Sequence, residues 1–147
     1  MRRVLVVAVL TGLAAGLACS AGAEPVSAPN PCRLVTARDV KAVLGTAVGR
    51  GKPQSLGLYQ SCTYTSGRTT VTVQTRALSK ADFVKSAKAN PPPVKAIAGV
   101  GASAYFAAGF TLLVWRGGNE ATFTVYGTGS PPLAPEVALA KRVVNRL

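Results

Sequence analysis

Side chains that could catalyse a reaction or hold a metal are scarce in this sequence. It contains no histidine, which removes the usual general base and the commonest metal ligand. Four carboxylates follow Cys32, and three of them, Asp39, Asp82 and Glu136, stand at predicted helix starts. Glu120 is left alone beside a predicted turn, and one exposed carboxylate is not the pair that a glycosidase needs. The sequence therefore predicts a non-enzymatic protein without catalytic residues, a metal site or a cofactor.

Cys19 predicts chemistry of a different kind, the covalent attachment of lipid. An uncharged, mostly apolar run from Val4 to Leu17 follows Arg2 and Arg3, a layout typical of a secretory signal. The run is shorter than the roughly 20 residues that a membrane-spanning helix needs. Leu17-Ala18-Cys19-Ser20 resembles a bacterial lipobox, although Gly16 stands where leucine is usual. We expect residues 1–18 to be a signal peptide and Cys19 to carry the lipid that anchors the protein to the outer face of the cell membrane.

A second cleavage site leaves secretion open as the alternative. Ala21-Gly22-Ala23 has the A-x-A pattern and would release a soluble protein that begins at Glu24. With either cleavage, Cys32 and Cys62 are the remaining thiols. An exported pair of cysteines is expected to be oxidised, so we predict a Cys32–Cys62 disulfide.

The composition separates a tether from a domain. Residues 19–31 are rich in proline, alanine and serine, as in a flexible linker. Residues 32–147 have the usual size of one domain. The chain has 17 basic against 5 acidic residues, and the basic residues are spread along it rather than grouped in one tract. In an exported protein the candidate partners for this charge are anionic envelope components or another envelope protein, not nucleic acid. The alternative is a scattered basic surface that keeps the protein soluble and has no dedicated ligand.

Three helices are predicted from their ends. The first is capped by Thr36 and ends at Gly45, the second follows Ser79 and ends before Pro91, and the third runs from about Pro135 to Leu147. In the first two, a serine or threonine is followed three residues later by aspartate, a carboxylate variant of the capping box. Glycine just after a helix and proline at its start are typical boundaries.

Alternating apolar and polar residues predict two β-hairpins. Residues 60–65 and 68–75 flank a turn at Ser66-Gly67, which would place Cys62 opposite Val71 and give Cys62, Tyr64, Val71 and Val73 a shared core face. Residues 110–115 and 120–126 flank Gly117-Gly118, and a short strand near 102–106 should join them. The order α-β-β-α-β-β-β-α predicts an α+β fold, a single antiparallel sheet of about five strands with two or three helices packed on it.

The second hairpin should have one apolar and one mixed face. Its predicted apolar face holds Phe110, Leu112, Val114, Ala121, Phe123 and Val125. Leu113, Trp115 and Tyr126 fall on the other face among threonines. Either the C-terminal helix or a loop covers Trp115, or this face is an exposed aromatic patch that contacts a partner. In the second case Arg116 would add a cationic rim, so we predict Leu113, Trp115, Arg116 and Tyr126 as candidate partner contacts.

Short motifs in the domain resemble a family of small actinobacterial lipoproteins that has no established function. They are Pro31-Cys32-Arg33-Leu34-Val35-Thr36, Val43-Leu44-Gly45, Ser61-Cys62-Thr63-Tyr64 and the stretch from Ile97 to Tyr105. They match the family's Cys-x-Leu-Leu-Thr-like start, its Leu-Gly helix end, its second cysteine in the first strand, and its Gly-x-Gly turn before an Ala-aromatic strand. Val35 replaces the commoner leucine. The resemblance covers roughly residues 31–147 and implies no catalytic residues.

Two functions are compatible with this sequence. The first is a non-enzymatic envelope domain that binds a partner protein or an envelope component. The second is a secreted carrier of a small molecule or lipid, with a cavity between sheet and helices. A carrier should enclose an apolar cavity of several hundred Å³, whereas an interaction domain should be solidly packed and expose an apolar patch.

The lipobox-like segment predicts that Cys19→Ala releases the protein from the membrane. Wild-type protein should partition into detergent with the membrane fraction, and the variant should lose nearly all of that partitioning because lipid chains supply the anchor. Mass spectrometry of the mature N-terminus checks the assignment. An unmodified N-terminus at Glu24 would contradict lipidation and indicate secretion.

Overall fold

The computed structural model describes residues 27–127 and 133–147. The predicted signal peptide, Cys19 and most of the predicted tether lie outside them. The helices are α1 (Pro31–Leu34), α2 (Ala37–Leu44), α3 (Lys80–Lys88) and α4 (Ala134–Val143), and a 3-10 turn, Val144–Arg146, follows α4. The strands are β1 (Lys52–Leu56), β2 (Tyr59–Ser66), β3 (Thr69–Ala77), β4 (Lys95–Ala96), β5 (Ser103–Ala107), β6 (Thr111–Arg116) and β7 (Asn119–Tyr126).

All seven strands form one antiparallel sheet in the order β1-β2-β3-β7-β6-β5-β4. The predicted α+β class with a single antiparallel sheet is confirmed, but the described residues hold seven strands and four helices rather than five strands and two or three helices. The unpredicted β1 is exposed at all five positions, so it lacks the apolar alternation by which a strand is recognised. The unpredicted β4 has two residues, too few for any pattern.

The predicted helix starts are confirmed. Asp39 N–H donates to the Thr36 hydroxyl over 3.3 Å, and Thr36 N–H donates to the Asp39 carboxylate over 3.0 Å, which completes the capping box of α2. Gly45 then ends α2 at a φ of 72°, a left-handed conformation that favours glycine. At the start of α3, Asp82 N–H likewise donates to the Ser79 hydroxyl over 3.1 Å, but the Asp82 carboxylate accepts from that hydroxyl rather than from the Ser79 N–H.

The register predicted for the first hairpin is wrong. Cys62 pairs with Val73 and Tyr64 with Val71, because the turn is formed by Gly67 and Arg68. Gly67 takes the first central position at a φ of 56°, where a side chain would be strained. The observed pairing differs from the predicted one by two residues along β3. Because side chains alternate between the two faces with a period of two, such a shift leaves each residue on its predicted face. The shared core face of Cys62, Tyr64, Val71 and Val73 is therefore retained, and all four are buried.

Helices cover both faces of the sheet. We call the face that carries Tyr64, Val73 and Phe123 the inner face, and it packs on α2 and α4 through side chains that are almost wholly buried, including Val40 and Leu139. The opposite, outer face contacts α3 through a smaller cluster centred on Phe83, Ala87 and Leu113. Because α3 spans only part of the sheet, much of the outer face stays open to solvent.

The predicted disulfide joins Cys32 in α1 to Cys62 in β2, with their Cα atoms 5.2 Å apart. It closes a loop of 30 residues that contains α2 and β1. A loop of this length contributes about 3 to 4 kcal/mol in the chain-entropy account. On its N-terminal side, the Thr75 hydroxyl donates to the Pro29 carbonyl over 2.7 Å, so the end of the predicted tether already contacts the domain.

One buried carboxylate connects α2 to α4 and to the 3-10 turn that follows α4. Asp39 accepts hydrogen bonds from Arg142 Nε at 3.0 Å and from an Arg146 guanidinium nitrogen at 2.8 Å, and Arg146 also donates to the Leu34 carbonyl at 3.0 Å. Burial opposes ionisation of Asp39, but the hydrogen bonds from Arg146, Thr36 and Arg142 outweigh it. They hold the pKa of Asp39 well below its ordinary value.

This lowered pKa predicts an acid-sensitive contribution to stability. It should be complete above the unfolded-state pKa of about 3.9 and be lost as the pH falls below that value towards the folded-state pKa. Asp39→Asn should reduce the free energy of unfolding at pH 7 by about 2 to 3 kcal/mol. We expect a small loss for a broken buried ion pair because both arginine partners are half exposed to solvent, which screens the interaction. Urea unfolding from pH 2 to 7 measures both effects.

Asp82→Asn is the matched control, because Asp82 caps α3 at an exposed position without an arginine partner among the described residues. It should keep the acid-dependent loss of stability. Equal pH profiles for wild type and Asp39→Asn would contradict the assignment to Asp39.

Candidate functional site

The open part of the outer face carries a row of threonines across four neighbouring strands. Strand pairing aligns Thr63 of β2, Thr72 of β3, Thr124 of β7 and Thr111 of β6. The hydroxyl oxygens of Thr63 and Thr72 lie 3.5 Å apart, and those of Thr111 and Thr124 lie 3.4 Å apart. Since alternate residues of a strand share a face, the four threonines present their hydroxyl groups on the outer face.

An ion pair with a buried carboxylate stands four residues further along β3 and β7, on the same face and under the edge of α3. Arg76 contacts one carboxylate oxygen of Glu120 through two guanidinium nitrogens, at 2.6 and 2.8 Å. The same arginine donates to the Ser86 hydroxyl at 3.2 Å and lies 4.7 Å from the centre of the Tyr59 ring. The two charges neutralise each other, so this end of the surface is polar without net charge.

The prediction that Glu120 is an exposed carboxylate is wrong, since its exposed fraction is 3%. The pairing of β3 with β7 sets Glu120 opposite Arg76 and brings α3 above both. That pairing joins residues 44 positions apart, and no local pattern reports it. The charge sequence alone could have suggested an arginine partner, but not which arginine.

Thr72, Thr124 and Thr111 of this row and the ion pair form the floor of an open groove of about 600 Å³, which we call the outer-face groove. Ser86 of α3 and Asn90 just beyond it form one wall. Phe110 and Tyr126 form the end opposite the ion pair. The groove is lined by Tyr59, Thr72, Gln74, Arg76, Ser86, Asn90, Phe110, Thr111, Leu113, Glu120, Thr122, Thr124 and Tyr126.

Phe110 and Tyr126 form an exposed aromatic pair. Their ring centres lie 5.9 Å apart, and their exposed fractions are 43% and 49%. The prediction that Phe110 belongs to β6 on the apolar face is wrong, because β6 begins at Thr111. Ala108 and Gly109 have positive φ values of 53° and 74°, so a three-residue turn delivers Phe110 to the outer face. In the sequence, Gly109 was the one residue that indicated this turn.

Trp115 is half-buried and packs against the segment that leads into α3. Its indole N–H donates to the Leu78 carbonyl over 2.8 Å, and the Lys80 ammonium lies 5.9 Å from the ring centre. Leu113 lies beside it, with an exposed fraction of 8%. The cover over Trp115 is therefore supplied by the loop that leads into α3 and by Lys80 at the start of that helix, not by the C-terminal helix.

The structure does not bring the four predicted partner contacts together. Arg116 is on the opposite side of the sheet, where it donates to the Val144 carbonyl at 3.4 Å and to the Asn145 side chain. Tyr126 stands six residues along β7 from Glu120, the residue that pairs with Trp115. Of the four, Leu113 and Tyr126 line the outer-face groove.

The remaining buried carboxylate, Glu136, lies on the inner side of the sheet. It accepts hydrogen bonds from the backbone N–H groups of Val125 at 3.2 Å and Leu133 at 2.9 Å. Burial raises the pKa of Glu136, and the hydrogen bonds from its own N–H and those of Leu133 and Val125 offset only part of that effect. Its contacts connect α4 to β7 and place it outside the groove.

Among the residues that the structure describes, no three cysteine or carboxylate side chains are grouped so that they could hold a metal ion. No helix in the same part of the chain is long and apolar enough to cross a membrane. The chain matches no protein-family model, no curated protein and no solved structure.

The environment of Trp115 predicts a role in stability. Trp115→Ala should lower the free energy of unfolding by about 3 kcal/mol, since it removes a large packed side chain. Trp115→Phe should cost about 1 kcal/mol, because the Leu78 carbonyl loses its donor. Equilibrium unfolding in urea measures both values. Tyr126→Ala, at an exposed position, is the control and should change stability by less than about 1 kcal/mol; an unchanged stability for Trp115→Ala would instead favour Trp115 as a contact residue.

Proposed function

We propose that this protein is an exported, non-enzymatic binding domain, anchored to the outer face of the cell membrane through Cys19, and that it holds a neutral polyhydroxylated ligand, such as an envelope glycan, in the outer-face groove. The observation that carries the proposal is the combination of an uncharged polar floor with an exposed aromatic pair. The resemblance to actinobacterial lipoproteins supports the location. Secretion after Ala23 is the alternative location, and it would leave the groove unchanged.

The floor of the groove favours a ligand that hydrogen-bonds without carrying charge. Threonine hydroxyls both donate and accept, and Gln74 adds an amide with both functions. The one arginine on the floor, Arg76, is already paired with Glu120. A highly charged ligand would find no free counter-charge there, whereas a polyol could replace the water on each hydroxyl.

The aromatic pair favours a ligand with flat apolar surfaces. Aromatic rings combine a large apolar face with little conformational freedom, which makes them effective contact residues. A pyranose ring presents axial C–H groups on one face and hydroxyls at its edge. A sugar stacked on Phe110 or Tyr126 would direct its hydroxyl edge towards Thr111 and Thr124 of the same groove.

The packing of the inner side favours surface binding over an enclosed carrier cavity. Tyr64, Val40, Leu139 and Val143 meet between sheet and helices with exposed fractions of 2% or less. Native-like packing of this kind leaves little volume for a guest molecule. A lipid carrier would need that region to be hollow, so the open groove is the better supported binding site.

The proposal is tested by the affinity of the purified protein for oligosaccharides released from the envelope of its own host. Neutral fragments should bind, and Phe110→Ala and Tyr126→Ala should each weaken binding about tenfold or more, as expected for exposed aromatic contacts. Thr124→Val, which keeps the shape but removes a hydroxyl, should weaken it several-fold. Isothermal titration calorimetry measures each affinity.

Leu58→Ala is the matched control, because Leu58 is an exposed apolar residue that does not line the groove. It should bind the same oligosaccharides as the wild type does. If all four variants bound with the same affinity, or if the wild type preferred anionic over neutral fragments, the proposed ligand would be contradicted.

A further inference from the structure

A second unassigned surface lies along the β1 edge of the sheet. β1 pairs only with β2 among the described strands, and all five of its residues are exposed. The two most exposed large apolar residues of the described chain are the last residue of β1, Leu56 at 56%, and Leu58 in the turn that follows, at 85%. Gly57 stands between them at a φ of 59°, which turns the chain tightly and keeps the two side chains at one tip.

The other end of β1 borders a basic cleft of about 840 Å³. Exposed Arg33 belongs to one wall, and exposed Arg50 and Lys52 belong to the other. The floor is mostly apolar and includes Tyr64. Gly51 lets the second wall lie directly on that floor, since a Cβ atom there would stand 2.7 Å from the Tyr64 ring.

The three basic residues of this cleft are not neutralised by the ion pairs of the described chain. Those ion pairs centre on Asp39 and Glu120 and use Arg142, Arg146 and Arg76. Three positive charges around an apolar floor therefore face solvent. Such a surface is complementary to an anionic amphiphile.

The incoming chain reaches the domain at the same cleft. Asn30, which caps α1, lines the cleft, and the residue before it is held by Thr75. If the protein is anchored through Cys19, its tether ends at this surface. This step alone rests on the proposed function; the exposed leucines and the basic residues are independent of it.

We propose that Arg33, Arg50, Lys52, Leu56 and Leu58 form a membrane-docking edge that binds anionic phospholipids. The arginine and lysine side chains bind headgroup phosphates, and the leucine tip enters the interfacial region. Lys52 and Leu56 are four residues apart on one extended strand, a span of about 13 Å, so a flat bilayer can contact both ends of β1. The domain then rests on the membrane by its β1 edge.

The composition of β1 favours a lipid surface over a partner strand. Pro53 lacks the N–H that a neighbouring strand needs, and the charge of Lys52 discourages strand addition at an edge. A soluble anion would use the basic cleft but would leave Leu56 and Leu58 without a role. A phospholipid bilayer uses both features.

The test uses the Cys19→Ala variant, which cannot be acylated and so cannot bind lipid through an anchor. The variant is purified after export, and mass spectrometry first confirms that the signal segment has been removed. Co-sedimentation is measured with vesicles of phosphatidylcholine alone and with vesicles that also contain 30% phosphatidylglycerol. Binding should require phosphatidylglycerol and weaken as salt is raised.

Arg33→Gln/Arg50→Gln/Lys52→Gln should reduce binding on the order of a hundredfold, as expected for three basic residues at an anionic surface. Leu56→Ser/Leu58→Ser should reduce it about tenfold, with an unchanged melting temperature.

The matched control is Lys85→Gln/Lys88→Gln/Lys95→Gln, which removes the same charge from exposed positions on α3 and β4. It should keep binding within a few-fold of the wild type. Equal losses in the two triple variants would show that net charge alone attracts the protein and would overturn the proposal. Binding of inorganic phosphate without any binding to vesicles would overturn it in favour of a soluble anion.

Failure of this inference is distinguishable from failure of the proposed function. The vesicles contain no glycan and the protein carries no lipid, so neither the outer-face groove nor the anchor contributes to the measurement. Phe110→Ala should retain vesicle binding, and the β1-edge variants should retain oligosaccharide binding. Loss of vesicle binding in Phe110→Ala would place the lipid contact in the groove and contradict the β1 edge.

Discussion

The buried carboxylate of Asp39 is the interaction on which the arrangement of this domain depends. It caps its own helix and also accepts hydrogen bonds from Arg142 and Arg146, which are more than 100 residues away in sequence. This contact joins the two ends of the domain by bringing α2 and α4 together on the inner face. With that face filled, α3 is the helix left to pack on the outer face, and it covers only part of it.

The sheet itself depends on a pairing of equal importance between β3 and β7. Each hairpin is a local unit, but the ladder from Thr70↔Tyr126 to Ala77↔Asn119 merges the two hairpins into one sheet. It also places Thr72 next to Thr124, so the row of hydroxyl groups exists only because the hairpins pair in this register. The outer-face groove is thus a product of long-range pairing rather than of any one segment.

Local chemistry explains which parts of this fold could be predicted from the sequence. Capping at Thr36 and Ser79, the Gly117-Gly118 turn and the cysteine pair are determined by neighbouring residues or by simple counting, and the structure agrees with them. The site was less predictable because alternation tells which side chains share a face but not which element covers that face. The sequence therefore placed Trp115 on the correct side of the sheet but did not identify the element that covers it. The position of Phe110 was missed because it lies in the turn before β6, where the alternation of the strand does not set the direction of its side chain.

The position of the disulfide has a mechanical consequence. A ligand held in the outer-face groove rests on β3 and β7, while the chain enters the domain just before Cys32. Tension between the two would pass from Cys32 through a covalent bond into β2 and across the adjacent strands, with the load shared by many ladder hydrogen bonds. α2 lies inside the closed loop and would be bypassed. The domain could therefore carry a sustained pull without unwinding α2.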